Sequence, residues 1–544
     1  MKKRFPIFLF LFFLLSEISG QMKTTADLII TNARIYTVNE SFAVAQAFAV
    51  KDGRFLEVGD TPVILEKYSS SQVIDVLGAA VFPGFIDAHC HFYGYAVELN
   101  RLDLTGTNSW EEVLSLLKRS RGSVAGDWIV GRGWDQNRWK SKEFPDRSAI
   151  DSMFPDRPVV LVRVDGHSLI ANAEALRRAG IGKKHKFNPQ EVDTRNGDLT
   201  GILSENAADF MRGIIPVPRG NSMAALIKRA ETNCFGVGLT TVADAGLERD
   251  TVEFLDSLQK KGFLKMRIYA MLSPSKDNID RFVKNGIYST DRMEVRSIKF
   301  YADGSLGSRT ALLKKPYSDA PGKSGISVTE PEAMLDICRL AMKYGYQVNT
   351  HAIGDSACKR ILMLYGGILK GHNDLRWRIE HAQVVDPADV HLFGDFSIVP
   401  SVQATHATSD MRWAGDRLGP VRVKGAYAYH DLMLQNGWIA NGTDFPIENI
   451  SPLLTFYAAV TRQDLQGYPQ GGFQKENALS REDALRSVTI WAAKACFGEK
   501  EKGSIEKGKF ADFVILDKDL MVVGENEIPT AKVVMTYVGG VLVY

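Results

Sequence analysis

Cysteine and histidine are scarce in this chain of 544 residues: five of the first, ten of the second. The cysteines, Cys90, Cys234, Cys338, Cys358 and Cys496, are scattered, odd in number and never spaced CxxC. That excludes a disulfide framework and a structural zinc cluster, so the fold must stand on its hydrophobic core. Past the N-terminus no run is long and apolar enough for a bilayer span, which takes ~20 residues. An excess of either charge is missing too, with 66 Lys and Arg against 64 Asp and Glu and no basic stripe. Neither nucleic acid nor an anionic membrane surface has an electrostatic claim on such a chain. A phosphate loop is also absent: the Gly-rich "DGSLGS" (303–308) lacks the Gly-Lys-Ser/Thr spacing.

The long apolar stretch that does exist stands at the start. "MKKRFPIFLFLFFLLSEISGQ" has basic residues, an apolar run over 5–15 and then small polar residues. This is the anatomy of a secretory signal peptide over 1–20, with the cut expected between Gly20 and Gln21. A membrane anchor would need a longer run. The expected location is therefore the periplasm or outside the cell, with no stable membrane insertion after cleavage. Removing 1–20 takes away Lys2, Lys3, Arg4 and Glu17 and leaves the two signs equal in number. The length suggests two structural units.

The two ends of the chain have one texture. "ADLIITNARIYTVNESFAVAQAFAVKDGRFLEVG" (27–59) is a series of short β-branched runs broken by turn residues, and so are "GKFADFVILDKDLMV" and "AKVVMTYVGGVLVY". Residues 21–80 and 500–544 are expected to form one small composite β-sandwich domain. Between them, 81–499 alternates strand-like and helix-like segments. Candidate strands are "FIDAH" (85–89), "LTTVADAG" (239–246), "MRIYAML" (266–272), "SIKFYADG" (297–304), "YQVNTHA" (346–352), "WRIEHAQ" (377–383), "SIVPSVQ" (397–403) and "WIANGTDFP" (438–446). Helical patterns such as "VEFLDSLQKKG" and "EPEAMLDICRLAMKYG" fall between them. Eight βα units are what a (β/α)8 TIM-type barrel of the α/β class requires. Residues 107–220, far too many for a βα loop, read as an insertion after the first strand that lies over the barrel mouth.

"FPGFIDAHCHF" (82–92) puts His89 and His91 on one face of a strand, with Cys90 on the other, where it packs. An isolated HxH reads as solvated or core-edge histidines; its company decides. Lys299, His351, His381 and Asp444 also lie in or at the C-terminal ends of predicted strands. A barrel gathers those ends on one face. Four imidazoles, a lysine and a carboxylate gathered there are a ligand set for borderline divalent ions, zinc above all.

The order HxH, Lys, His, His, Asp resembles the amidohydrolase superfamily, and the flanking text resembles its amidohydrolase-3 (YtcJ-like) branch. The matching pieces are "FPGFIDAHCH", "GRGWDQNRW", "RVDGHSLIANAEAL", "GILSENA", "IKFYADGSLGSRTALL", "THAIGD", "RIEHAQ", "GTDFP" and "GSIEKGKFADFVILD". They run through nearly the whole chain. The resemblance implies that His89 and His91 are ligands of the more buried metal and that His351 and His381 hold a second. Lys299 would bridge the two as a CO2-derived carbamate, and Asp444 would be the last ligand and the proton shuttle. A divalent pair, two Zn2+, would then lower the pKa of a shared water. The implied reaction is hydrolysis of a C–N bond in a small-molecule amide of N-acyl or N-formyl type.

Trp134, His167 and Asp303 are candidate substrate contacts from the matching pieces, although Asp-Gly is first a turn signal. His185, His372, His391, His406 and His430 lie outside the matched strand ends and receive no metal role. A mononuclear deaminase on the same barrel is the nearest rival; "HAIGD" (351–355) lacks the HxxE glutamate such enzymes carry. A non-catalytic exported binding protein is the other, and its signature, a missing ligand, is not seen. A homodimer is compatible with the chain.

Overall fold

A computed structural model describes residues 23–120 and 127–544. The signal-peptide reading falls on 1–20, outside the described residues. Eight parallel strands form one curled sheet, in the order Phe85–Cys90, Leu239–Leu247, Arg267–Leu272, Met293–Tyr301, Gln347–Ala352, Arg378–His381, Val399–Val402 and Ala440–Asn441. These are the eight segments expected from the sequence. Helices Arg249–Lys260, Pro331–Tyr344, Asp355–Leu369 and Tyr429–Asn436 are among those that return the chain between them. The main apolar core lies between these helices and the outward faces of the strands.

The sheet closes on itself where the eighth strand runs out. The Asp444 amide donates to the His89 carbonyl at 2.8 Å, and the His91 amide donates to the Phe445 carbonyl at 2.8 Å. Asp87 clamps the seam: its Oδ2 accepts from Thr443 Oγ1 at 2.7 Å, and its Oδ1 accepts from the His89 and Thr443 amides. Gly442 permits this approach, because an added Cβ would lie 2.5 Å from both Asp87 Oδ1 and the His89 nitrogen. The fold is a (β/α)8 barrel.

Two further sheets build the β unit from both chain ends. One orders Arg54–Gly59, Ala47–Lys51, Leu28–Thr31 and Val73–Asp75; the other orders Val541–Leu542, Val533–Val538, Phe513–Leu516, Ala80–Pro83, Arg34–Tyr36 and Val44–Ala45. Phe48, Phe55, Phe513 and Tyr537 pack between them. Ala80–Pro83 runs directly into the first barrel strand. Between barrel strands one and two, residues 102–204 carry a separate six-stranded sheet with its own apolar clusters. The hairpin Val159–Arg163 and Ser168–Ala171 points its turn at the barrel mouth, where Asp165 Oδ2 accepts from Ser305 Oγ at 2.6 Å and Ser308 Oγ at 2.7 Å.

Candidate metal centre

Strand alternation delivers Asp87, His89 and His91 to the barrel interior and turns Cys90 outward, its Sγ against the Ala243 carbonyl. Asp444 enters from the eighth strand. Its Oδ1 lies 3.2 Å from His91 Nε2 and 3.6 Å from His89 Nε2. Lys299, fully buried on the fourth strand, places Nζ 3.3 Å from His89 Nε2. The His351 and His381 rings pack with centroids 4.4 Å apart, and His381 lies 5.0 Å from His89. All six ligands expected from the sequence therefore meet at one end of the barrel. His381 has φ 73 and Asp444 φ 59, left-handed values that non-glycine residues adopt at a cost and that cluster at functional sites.

The donor set fits a metal. His89 Nδ1–H donates to Glu380 Oε2 at 2.6 Å, His91 Nδ1–H to the Ala245 carbonyl at 3.3 Å, and His351 Nε2–H to the Gly304 carbonyl at 3.1 Å. Each ring thus commits one nitrogen to an outer oxygen and keeps the other as a lone-pair donor, the arrangement that orients metal-binding imidazoles. His381 Nδ1 and Asp444 Oδ1 are buried and make no hydrogen bond, and a cation is the partner that would satisfy both. The donor atoms of His89, His91 and Asp444 lie within 4.8 Å of one another, as do those of His381, His406 and Asp444.

Charge is arranged to the same end. Burial holds His351 and His381 well below the usual imidazole range, in the neutral form that binds metals. Burial brings Lys299 down to about 8. Burial opposes ionisation of Asp444, but the His406 and His91 rings keep it a carboxylate, well below its ordinary range. Glu380 is likewise held at about 2 against burial by the His89 ring.

Two histidines outside the expected ligand set complete the surroundings. His406, in the helix Ala404–Asp410 after the seventh strand, lies 3.3 Å from Asp444 Oδ2 through Nε2 and 3.1 Å from Glu448 Oε1 through Nδ1. Burial disfavours its charge, yet the two carboxylates raise it to about 10. With a carboxylate on each nitrogen, His406 acts as a cationic brace for Asp444 rather than a lone-pair donor. Its position past the strand end gave no sign of this in the sequence. His167, a candidate substrate contact, sits at the tip of the inserted hairpin. It is bonded through Nδ1 to Glu205 Oε2 at 2.9 Å, with its ring 5.1 Å from that of His351. The insertion thus brings one imidazole to the centre.

The other two candidate contacts fare differently. Asp303 is fully buried and accepts from the Leu312, Ile353 and Gly354 amides, 3.7 Å from His351 Nε2. It ties together the loops that follow the fourth and fifth strands. Trp134 is not brought to the centre at all. It is buried among Trp139, Phe144 and Leu161 in the insertion's own core, where its indole donates to the Leu161 carbonyl. Its strand alternates inward into that core, a placement that a tryptophan's sequence context does not distinguish from a pocket wall.

Comparison with known proteins agrees with this geometry. The Amidohydrolase family model matches residues 72–544. The YtcJ protein of Bacillus subtilis is 31% identical over 94% of this chain and 98% of its own. The N-substituted formamide deformylase of Arthrobacter pascens is 27% identical over 96% and 99%. The crystal structure of a metal-dependent hydrolase from Pyrococcus horikoshii OT3 superposes with a TM-score of 0.75 at 31% identity, over 91% of this chain and 98% of the other. A barrel that gathers these donors at one end, in a chain matched along most of its length, belongs to the amidohydrolase family.

Proposed function

We propose that this chain is a metal-dependent hydrolase of a C–N bond in a small-molecule amide, of N-acyl or N-formyl type, acting in the periplasm or outside the cell. The observation that carries the reading is Asp444: one oxygen braced by His406, the other buried, unpartnered and aimed between the ring nitrogens of His89 and His91. His89, His91, Lys299, His351, His381 and Asp444 would hold the ions, two Zn2+ with a carbamate on Lys299. Bound there, the ions would supply a polarising charge for the carbonyl and a lowered pKa for water.

The chain's own groups do the rest. Asp444 Oδ1 takes the proton from the attacking water and passes it to the leaving nitrogen, which departs as the amine. His406 and Glu448 fix the other oxygen, so the free one stays in line. His167, oriented by Glu205, faces the substrate from the insertion side. The formamide deformylase relative supports a formyl or acyl group on nitrogen as the starting panel.

The test is turnover of N-formyl and N-acyl amines by metal-loaded protein, reading amine and carboxylic acid together. Expected is stoichiometric release of both, with Asp444→Asn lowering kcat by about 10²–10⁴. Ammonia release without an acid product would replace hydrolysis by deamination. Loading of about two ions with no turnover over the panel, and none lost in Asp444→Asn, would refute the reading.

A further inference from the structure

Tyr301 ends the fourth barrel strand two residues beyond Lys299, so both side chains face the barrel interior. In the parallel ladder Tyr301 is level with His351, and the two rings lie 5.6 Å apart. The Lys299 Nζ stands 4.9 Å from the centre of the Tyr301 ring. The hydroxyl reaches across to the end of the second strand, where a Cβ on Gly246 would lie only 3.3 Å from it. Gly246 has φ +81, so the position is kept free of a side chain.

Tyr301 is half-buried, so its hydroxyl is open to a ligand rather than sealed in the core. Tyr301 makes no hydrogen bond through it with any described residue. Its ring is packed against Lys299 and His351, and its donor is uncommitted.

We propose that Tyr301 is a catalytic residue whose hydroxyl donates a hydrogen bond to the carbonyl oxygen of the scissile amide and holds that oxygen as negative charge develops on it. The proposal rests on the hydrolase reading above. No bond to Tyr301 forms or breaks, and the phenolic proton stays on the residue. A preorganised donor of this kind acts where charge appears in the transition state. A merely protective role, covering Lys299 with an aromatic ring, would be served equally by phenylalanine.

Tyr301→Phe separates the two. The probes are formanilide for turnover and methylphosphonate, a tetrahedral anion, for binding by calorimetry to the metal-loaded protein. Expected in Tyr301→Phe are unchanged metal content and melting temperature, a fall in kcat of about 10²-fold with KM within a few fold, and methylphosphonate bound about tenfold more weakly. Equal methylphosphonate affinity in the two proteins, with only Tyr301→Ala impaired, would overturn the donor role and leave the hydrolase reading standing. A loaded wild-type protein that neither binds methylphosphonate nor cleaves formanilide would sink both. Where wild type binds methylphosphonate but leaves formanilide intact, the binding comparison alone decides.

Discussion

Replacing Lys299 by methionine keeps a straight side chain in the barrel and removes the amine, and the consequence can be worked from the structure. Burial brings Lys299 from 10.5 to about 8, which disfavours the ammonium by on the order of 3 kcal/mol. At pH 7.5 roughly one amine in four is then neutral, against about one in a thousand for an exposed lysine. Only the neutral amine adds CO2, so the site enriches the reactive form about 200-fold. The resulting carbamate carries negative charge beside His89 Nε2, where an ammonium would repel a cation.

The assay has two parts. Protein prepared with ¹³C-bicarbonate is examined for a carbamate carbonyl resonance, and metal per chain is counted by elemental mass spectrometry. Wild type should show the label with about two ions, and Lys299→Met should lose the label together with one or both ions. In the metal-free chain at fixed dissolved CO2, labelling should grow as pH rises through about 8, because the proton leaves there. A Lys299→Met chain that still holds two ions, beside an unlabelled wild type, would refute the bridge and leave Lys299 as a packed side chain.

Three more outcomes are expected. His406→Ala should lower kcat by about 10- to 100-fold, as loss of a group that orients a ligand does, while the fold, read by circular dichroism, stays intact; unchanged kcat would mean that Asp444 needs no brace. Gly442→Ala forces a methyl onto Asp87 and the His89 backbone and should lower the melting temperature and the metal content together, costing at least about 2 kcal/mol; a variant that melts and loads like wild type would contradict the seam geometry. His167 is raised to about 9, burial opposing and the Glu205 carboxylate prevailing. Its folded value exceeds the unfolded one near 6.5, so the pair's stabilisation, on the order of 1–3 kcal/mol, is complete below about pH 6.5 and fades as pH rises through about 9. The difference in melting temperature between wild type and His167→Gln should shrink over that range, and a pH-independent difference would remove the ion pair from the account.

All eight barrel strands could be read from the sequence because each is a short apolar run between helical patterns or turn residues, and the six residues that gather at the barrel end because each sits in or at the end of such a run. What could not be read has a local cause. Alternation along "RIEHAQ" puts Glu380 and His381 on opposite faces, yet both serve the centre, because the backbone turns left-handed at His381 (φ 73) and Ala382 (φ 43). Nothing in those residue types announces that turn. His406 lies in the first turn of a helix, past the strand end, so strand periodicity does not reach it. The sheet hydrogen bonds that hold Trp134 in the insertion's core pair segments remote in sequence. Tyr301 was legible as a strand residue; its idle hydroxyl became visible only with Gly246 beside it.

The β unit has a consequence for how the chain is made. Ala80–Pro83, one residue from the strand that carries His89, is paired antiparallel with Phe513–Leu516, and the Gly84 amide donates to the Asp512 carbonyl. An early strand therefore waits for one made far later. At ribosomal speeds of about 5–20 residues per second the wait is tens of seconds. Through that interval Ala80–Pro83 has an open edge. Completion of this sheet is thus a late event, and a chain shortened before Phe513 would leave the strand that carries His89 adjoining an unpaired edge, a surface open to chaperones and to other copies of itself.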